Sequence, residues 1–364
     1  MNASPPSPVK RSPLPAALRW LGPPLAALFS TGVALRRCLY ASGLKRARRA
    51  TVPVISVGNL TTGGTGKTPA VAFLARGLMQ RGRRPAIVLR GYGAPKPGEL
   101  NDEGLELARQ LPDVPVIANP NRFAGAAEAV RQGADTVILD DGFQHWALAR
   151  DFDLVLLDAT DPFSEGRRLP WGHLREAPGA LARAHGVLIT RANRISEEQL
   201  SNLRNKIKQL APDAYLSTAQ HEPAGLRTLG EATDPPDMKA LRGRLVFAAC
   251  GLARPEHFRT TLKDLGLEIA AHRDFDDHHT FCQTDIQACF SAAQAASAEA
   301  IVITEKDASK WSGLVGKDMP LPVWVLRIAF RIMEGEAGLW GALEAALKAT
   351  GGKGVSQSSS QSSS

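Results

Sequence analysis

The sequence is poor in cysteine and contains no hydrophobic run long enough to cross a membrane. Its four cysteines include no C-x-x-C pair, so neither a zinc site nor a disulfide framework is indicated, and a reducing cytoplasm is the simplest compartment. The uncharged apolar segment from residue 20 to residue 35 contains two prolines and is shorter than the about 20 residues that a spanning helix needs. Aromatic residues do not interleave with the basic ones, which argues against a nucleic-acid-binding surface.

Acidic side chains are also in deficit. Lys and Arg number 44 against 36 Asp and Glu, and the net charge is +8. The charge alone predicts an anionic partner, and nucleic acids, membrane surfaces and phosphorylated substrates are the classes of such partners. Basic residues flank the apolar segment on both sides, from Lys10 to Arg19 and from Arg36 to Arg49. We therefore predict that residues 1–49 associate with a membrane through an interfacial helix; a core helix of a soluble domain is the alternative.

Continuous apolar segments alternate with segments of helical spacing. Strands are predicted at 52–57, 86–89 and 136–139 and within "FDLVLLDA" and "GVLITRAN", and helices at 69–81, 102–111 and 122–132. Runs this apolar are typical of strands that are buried on both faces of a parallel sheet. Polar residues that follow such strands are expected to gather along one edge of the sheet, where ligands bind.

The fold class is therefore α/β, and the length of 364 residues favours two domains. We predict a P-loop NTPase-like core at 50–217 and a smaller α/β domain at 218–350 that closes the cleft. A disordered tail rich in Ser and Gln is predicted at 351–364.

The stretch "NLTTGGTGKTP" (Asn59–Pro69) is typical of a loop that wraps around phosphates. Its glycines permit positive φ, so that amides can point at phosphate oxygens, and the following helix adds its N-terminal dipole. Lys67 is expected to reach the β- and γ-phosphates and Thr68 to coordinate Mg²⁺. The common pattern has glycine at position 61, where this chain has threonine. The predicted nucleotide-binding residues are Thr61, Thr62, Gly63, Gly64, Thr65, Gly66, Lys67 and Thr68.

Charged clusters follow the loop. Asp140 and Asp141 come after an apolar strand, where a metal-holding carboxylate is expected. Asp102 and Glu103 begin a helix, where negative charge is favourable for the helix dipole alone. Residues 275–281, "FDDHHTF", allow either a metal site or a charged loop, and "TEKDASK" at 304–310 allows a solvated strand end.

Together these segments resemble the tetraacyldisaccharide 4′-kinase family, the lipid A kinases of Gram-negative envelope synthesis. The matching segments, in the family's order, are "PVISVGNLTTGGTGKTP", "LRGYG", "NDE", "DDGFQH", "RLPWGHLREA", "CGLARPEHF", "FDDHHTF" and "TEKDASK". "DDGFQH" beside this glycine loop is specific to that family, and the family departs from the common loop pattern at Thr61 in the same way.

The resemblance implies a kinase that uses ATP and Mg²⁺ to phosphorylate the 4′-hydroxyl of tetraacyldisaccharide 1-phosphate, giving lipid IVA in lipid A biosynthesis. Its partners would be that acylated glucosamine disaccharide and a membrane surface, not nucleic acid. Its expected location is the cytoplasmic face of the Gram-negative inner membrane, as a peripheral or monotopic protein.

The resemblance also assigns roles. Asp102 would accept the proton of the sugar hydroxyl, and His278, in preference to His279, would orient Asp102. The catalytic set is completed by Lys67, Asp140 and Asp141. The implied metal ligands are Thr68, Asp140, Asp141 and Glu103, with the choice between the two adjacent aspartates left open. Arg90, Arg175 and Glu176 are expected to contact nucleotide or substrate.

A membrane- or DNA-associated P-loop ATPase switch of the chromosome-partitioning type is the competing interpretation. Such proteins have a similar loop and need basic or amphipathic surfaces. They carry a signature lysine directly before the glycine pair, where this chain has Thr62. They also lack a "DDGFQH" segment.

Overall fold

The computed structural model describes residues 13–92, 96, 98–230, 241–252, 255–277, 279–316 and 319–355. The chain divides into two compact units. Unit 1 comprises the chain up to Gln220 and the segment from Phe330 onward, and unit 2 comprises His221–Ala329. Two long strands, β7 (Tyr215–Thr228) and β11 (Val323–Glu334), begin in one unit and end in the other.

Strands and helices alternate along unit 1 as predicted. Its other strands are β1 (Val54–Asn59), β2 (Pro85–Leu89), β3 (Val116–Ala118), β4 (Thr136–Asp140), β5 (Phe152–Asp158) and β6 (Gly186–Thr190). Its helices are α1 (Gly22–Ala41), α2 (Lys67–Gln80), α3 (Asp102–Gln110), α4 (Arg122–Arg131), α5 (Glu197–Leu210) and α9 (Glu336–Val355). The predicted bounds differ from these at the ends of the elements, and the short strand β3 was not predicted.

The sheet of unit 1 brings the polar ends of its strands to one edge. The strand order is β3-β2-β4-β1-β5-β6-β7, and each of these pairings is parallel. β1, β2, β4, β5 and β6 are buried along their whole length, which accounts for their continuous apolar sequences. Since carboxyl ends of parallel strands share an edge, the glycine loop after β1 lies beside the residues that follow β4, β5 and β6.

Unit 2 contains a second α/β arrangement. Its elements are β8 (Leu245–Cys250), α6 (Pro255–Asp264), β9 (Glu268–Asp274), α7 (Gln283–Ala295), β10 (Ala300–Thr304) and α8 (Glu305–Trp311). The strand order is β7-β11-β10-β8-β9, with β11, β10, β8 and β9 paired in parallel. Its core contains Trp311, which is fully buried.

The predicted division of the chain is wrong at its C-terminal side. Residues 330–350 are predicted in the smaller domain, whereas in the structure they belong to unit 1. The reason is the apolar face of α9: Leu339, Trp340 and Leu343 join the core around β1 and α2. The Trp340 ring fits against Gly77 of α2, where a Cβ atom would come within 2.2 Å of the ring. Helix α9 also continues to Val355, past the predicted start of the tail, and residues 356–364 lie outside the described residues.

Helix α1 exposes much of its apolar surface. The two prolines do not interrupt it, because they lie in its first turn, where proline is tolerated. Gly22 and Ala26 are buried, and a Cβ at Gly22 would come within 2.5 Å of Trp171. The exposed large apolar side chains of this region are Leu18, Trp20, Leu25, Leu28, Phe29, Leu35 and Leu44. Among the described residues, no helix combines the length and the apolar character required to cross a membrane.

Candidate active site

The glycine loop joins β1 to α2 at the carboxyl edge of the sheet. Gly63 and Gly66 have φ of 100° and 87°, in the left-handed region that favours glycine, and Gly66 directly precedes the first residue of α2. Asn59 Nδ2 donates to Thr65 Oγ1 at 2.8 Å, and both residues are buried. The loop therefore has the backbone form that directs amides toward an anion at a helix N-terminus.

A strap formed by residues 173–175 runs alongside the loop and explains Thr61. Thr61 forms an antiparallel bridge with Leu174 and is 3% exposed, so an extended, β-branched residue suits the position. Thr62 N donates to His173 O at 2.8 Å, and its hydroxyl lies 2.8 Å from His173 Nδ1. Arg175 N donates to Leu60 O at 2.7 Å, which brings the Arg175 side chain to the loop.

The predicted cationic and acidic residues converge at this edge. Asp141 Oδ2 accepts a hydrogen bond from Arg175 Nη1 at 2.6 Å, and Asp141 Oδ1 lies 3.7 Å from Lys67 Nζ. Asp141 has a positive φ of 56°, which is uncommon outside glycine and is frequent at functional sites. The lysine of the loop and an aspartate after β4 thus form one charged cluster, as the sequence analysis predicted.

The two adjacent aspartates have opposite electrostatics. Burial, followed by repulsion from Glu103, raises the pKa of Asp140 to about 7 despite the attraction of Lys67. For Asp141, burial acts upward, but the charges of Lys67 and Arg175 hold its pKa below the ordinary value. In the free protein near neutral pH, Asp141 is therefore ionised, and Asp140 is divided between its acidic and ionised forms.

Asp102 and Glu103 lie in the first turn of α3. Asn101 caps this helix by accepting a hydrogen bond from Gly104 N at 3.1 Å, and it donates to Tyr92 O at 3.0 Å. Glu103 is close enough to Asp140 to raise its pKa. Helix α3 thus brings Glu103 to the acidic pair after β4, and Asp102, the preceding residue, is half-buried.

Several arginines of this edge were not singled out from the sequence. Arg122, the first residue of α4, is 3% exposed and donates to the Asp140 carbonyl at 3.0 Å. Burial lowers its pKa to about 10, so it stays charged at neutral pH. Burial, followed by the positive charges of Arg122, Arg36, Arg150 and Arg90, lowers the pKa of His145 to about 4. These cations include the predicted Arg90 and extend to α1 through Arg36.

Glu176, predicted as a cleft residue, is engaged inside unit 1. It is 5% exposed and forms an ion pair of 3.0 Å with Arg183. The Arg183 guanidinium stacks over the rings of Phe143 and Trp146 at 4.4 and 4.2 Å. Through Arg183, Glu176 is therefore connected to Phe143 of the "DDGFQH" segment and to Trp146 directly after that segment.

The donor set of unit 1 suits a divalent cation that is shared with phosphates. Oδ1 of Asp140 is buried and accepts no hydrogen bond from any described residue, and a carboxylate oxygen of this kind is a suitable ligand for Mg²⁺. No group of three or more His, Cys, Asp and Glu side chains with metal-binding geometry occurs among the described residues. Mg²⁺ bound through one or two carboxylates and substrate phosphates requires no such group.

Unit 2 carries the remaining motifs. His278 lies outside the described residues. Its neighbour His279 points Nε2 at Asp285 Oδ2, 3.0 Å away, and stacks on Phe275. In "TEKDASK", Thr304 caps α8 by accepting from Asp307 N at 3.1 Å. Asp307 is 1% exposed, so this acidic residue does not belong to a solvated strand end, as one interpretation of the sequence had it.

Comparisons with known proteins agree with the geometry. The family model described as tetraacyldisaccharide-1-P 4′-kinase matches residues 18–348. A tetraacyldisaccharide 4′-kinase of Anaeromyxobacter sp. (strain Fw109-5) is 43% identical over 342 residues, covering 88% of this chain and 89% of the relative. One from Halothermothrix orenii is 35% identical, covering 79% and 82%. A crystal structure of LpxK from Aquifex aeolicus in complex with ATP is 27% identical with a TM-score of 0.68, covering 91% of this chain and 99% of the other.

Proposed function

The chain belongs to the tetraacyldisaccharide-1-P 4′-kinase family, and from that premise we propose that the carboxyl edge of unit 1 is where the γ-phosphoryl group of ATP is transferred to the 4′-hydroxyl of a tetraacyldisaccharide 1-phosphate. The observation that carries this proposal is the cluster of Lys67, Asp141 and Arg175 beside the glycine loop. A glycine loop alone serves many nucleotide-binding proteins. A loop lysine that shares a carboxylate with a second cation is arranged to act on the transferred phosphoryl group.

The cluster supports specific roles for its members. Loop amides and Lys67 would hold the β- and γ-phosphates. Arg175, which pairs with Asp141 in the free protein, would bind the same phosphates when the nucleotide competes with Asp141 for the guanidinium. Thr68, Asp140, Asp141 and Glu103 are the oxygen donors near the loop that could hold Mg²⁺. The ion would supply neutralisation of the negative charge on the transferred group.

Asp102 is proposed as the general base. It begins α3 next to Glu103, whose charge reaches Asp140, so the proton acceptor would stand beside the phosphate site. A carboxylate in this place can accept the proton of a sugar hydroxyl as the hydroxyl attacks. His278, which follows from the family resemblance, is proposed to orient it.

The acceptor would meet the basic side chains around His145. Arg36, Arg90 and Arg122 all act on this histidine, and they lie in α1, after β2 and at the start of α4. A 1-phosphate is a dianion that such guanidinium groups bind well. Because Arg36 belongs to α1, an acceptor bound there would lie against the helix that exposes apolar side chains.

We also propose that α1 docks the enzyme on the cytoplasmic face of the inner membrane. Trp20, Leu28 and Leu35 are 73%, 71% and 61% exposed, and basic residues flank them. An apolar surface with cationic borders binds anionic lipid through burial and charge together. The acyl chains of the acceptor could then remain in the bilayer during phosphorylation of its sugar.

The kinase assignment is tested with labelled ATP, Mg²⁺ and detergent-dispersed tetraacyldisaccharide 1-phosphate. Label should appear on the lipid, and EDTA should abolish its appearance. Wild-type protein that hydrolyses ATP equally without lipid, or only with DNA or bare liposomes, would identify an ATPase switch instead.

Docking is tested by liposome sedimentation of the full chain and of a variant that starts at Thr51. Salt should weaken binding of the full chain because part of the attraction is screened, and the shorter chain should bind and turn over membrane-embedded lipid poorly. Equal binding and activity of the two proteins would show that α1 has only a structural role.

A further inference from the structure

The turn after β6 reaches back to the glycine loop through Arg191. This residue has a φ of 54°, a left-handed conformation that non-glycine residues seldom adopt. Its Nη1 donates to the Gly64 carbonyl at 3.0 Å and to Asp158 Oδ2 at 2.5 Å. The guanidinium therefore bridges the loop after β1 and the end of β5.

The carboxylate partner of this bridge is firmly held. Asp158 ends β5 and is 2% exposed. Its Oδ1 accepts hydrogen bonds from the amide and the hydroxyl of Thr160 at 3.0 and 2.7 Å. A buried, multiply bonded carboxylate fixes the guanidinium in one place, because the planar fork of arginine has a defined geometry.

The loop itself offers little packing at the point where Arg191 contacts it. Gly64 is exposed, and a Cβ placed on it would have no described atom within 4 Å. A glycine without packing has wide conformational freedom. The next carbonyl, that of Thr65, accepts from Thr190 Oγ1 at 3.0 Å. Two successive carbonyls of the loop are thus held by two successive residues, Thr190 at the end of β6 and Arg191 directly after it.

Fixing a carbonyl fixes the amide on the same peptide plane. The peptide group is planar, so the hydrogen bond to Gly64 O sets the direction of the Thr65 N–H, and the bond to Thr65 O sets that of the Gly66 N–H. Amides of such a loop are the groups that bind phosphate oxygens. Random orientation of the Gly64–Thr65 peptide would remove one of these donors from the site.

We propose that Arg191 is a positioning residue that holds the glycine loop in its phosphate-binding form through the Gly64 carbonyl, with Asp158 as its anchor. The inference rests on the proposed kinase site and adds a residue to it. The role is geometric, because the charge of Arg191 is already paired with Asp158. Arg191 therefore affects nucleotide binding through the direction of the loop amides.

The experiment compares Arg191→Asn, Arg191→Lys and Asp158→Asn with wild type in the full chain. Asparagine tolerates the left-handed backbone but cannot span the distance to Gly64 and Asp158 together, and lysine can restore one of the two bonds. Arg204→Ala is the matched control, since Arg204 is a half-buried arginine of α5 that pairs with Glu197 and Glu334. The measurements are thermal melting, the Kd of ATP by calorimetry, and kcat and KM at low and high salt.

Arg191→Asn should weaken ATP binding by roughly tenfold to a hundredfold, with a raised KM for ATP, at both salt concentrations. Arg191→Lys should be intermediate, and Arg204→Ala should match wild type. Asp158→Asn should also weaken ATP binding. This last result decides the mechanism, because removal of a negative charge near an anion site would on electrostatic grounds alone strengthen binding.

Unchanged or tighter ATP binding by Asp158→Asn, together with weaker binding by Arg191→Asn, would show that the guanidinium acts by direct charge, and the positioning role would be wrong. ATP affinities of both Arg191 variants equal to that of Arg204→Ala would overturn it as well. A fold lost in Arg191→Asn leaves Arg191→Lys and Asp158→Asn to decide. Failure of the wild-type protein to label the lipid would refute the kinase assignment but not the role of Arg191, because that role is tested separately by the ATP affinities.

Discussion

Each unit has an almost fully buried acidic residue at or shortly after the end of a central strand, and the two residues are held in different ways. Asp140 ends β4 in unit 1, and Asp307 follows β10 in unit 2. Burial raises the pKa of both carboxyls. Thr304 Oγ1 and Gly251 N donate to Oδ2 of Asp307 at 2.7 and 3.0 Å, and the positive charges of Lys306 and Lys310 act on it. The charges that act on Asp140 are of both signs, from Glu103, Lys67, Asp141 and Arg122.

The difference separates a structural carboxyl from one prepared for a ligand. Two neutral donors to Oδ2 and two lysine charges act on Asp307 within unit 2, so it connects the end of β8 to the start of α8. Oδ1 of each carboxyl is buried and has no hydrogen-bond partner among the described residues, so the contrast lies in the charges. Asp140 has acidic as well as basic neighbours, and its electrostatics improve when a further cation arrives. Acidic residues at or shortly after the end of an apolar strand thus serve different purposes in the two units.

The largest expected effect on this comparison comes from Lys67→Ala. It removes the cation that acts on both Asp140 and Asp141, and transfer of phosphate to lipid should fall by roughly a thousandfold or more. The lysine side chain is 15% exposed and its ammonium lies 3.7 Å from Asp141. Because Asp141 keeps its ion pair with Arg175, the protein should stay folded with a modestly lower melting temperature. Lys263→Ala on α6, which replaces an exposed lysine of unit 2, is the control. Normal turnover by Lys67→Ala would refute the site assignment.

The next effect tests whether the unit 1 site depends on a histidine of unit 2. Asp102→Ala should lower kcat by about a hundredfold or more with little change in ATP affinity. His278→Ala should affect the same step, and the double variant should be little worse than the worse single variant because the pair acts as a unit. Asp113→Ala, an exposed aspartate after α3, is the control for loss of a nearby charge.

His279→Ala is the informative comparison for that pair. Its imidazole is already engaged with Asp285 and Phe275 within unit 2, so its removal should lower thermal stability more than kcat. A severe loss of kcat in His279→Ala together with normal turnover in His278→Ala would show that His279, and not His278, has the orienting role. Fully multiplicative losses in the double variant would exclude a dyad.

The parts of unit 1 that follow local rules were predictable from sequence. Continuous apolar strands, the glycine loop and the acidic pair after β4 depend on neighbouring residues along the chain, and all lie where expected. Arg122 and Arg191 were missed because an arginine at a helix start or after a strand has no pattern of its own; its role comes from a carbonyl or carboxylate far along the chain. Helix α9 was assigned to the wrong unit for the same reason, since its partner Gly77 precedes it by most of the chain.

A smaller effect concerns stability. The folded pKa of Asp140 is about 7, above the ordinary value of 3.8, so the native state binds its proton more tightly than the unfolded chain does. The native state therefore loses stability as pH rises from about 4 to about 7, by up to about 4 kcal/mol. Asp140→Asn should raise the melting temperature of the nucleotide- and Mg²⁺-free protein by several degrees at pH 8 and by less at pH 5, while it lowers turnover. An equal shift at both pH values would contradict the raised pKa.

The smallest effect is expected for Asp307→Asn, which completes the comparison. The asparagine Oδ1 can still accept from Thr304 Oγ1 and Gly251 N, because an amide oxygen has two acceptor sites. The substitution also resembles the protonated carboxyl that burial favours. The free energy of unfolding at pH 7 should therefore stay within about 1 kcal/mol of that of wild type. ATP affinity and kcat should change little, because the donors to Asp307, Thr304 Oγ1 and Gly251 N, belong to unit 2, whereas the proposed phosphate and metal site belongs to unit 1. Asp140→Asn, measured in parallel, should combine a large loss of turnover with a gain in stability. If Asp307→Asn lowered turnover as severely as Asp140→Asn, the strand edge of unit 2 would be a second functional site and the contrast between the two carboxyls would fail.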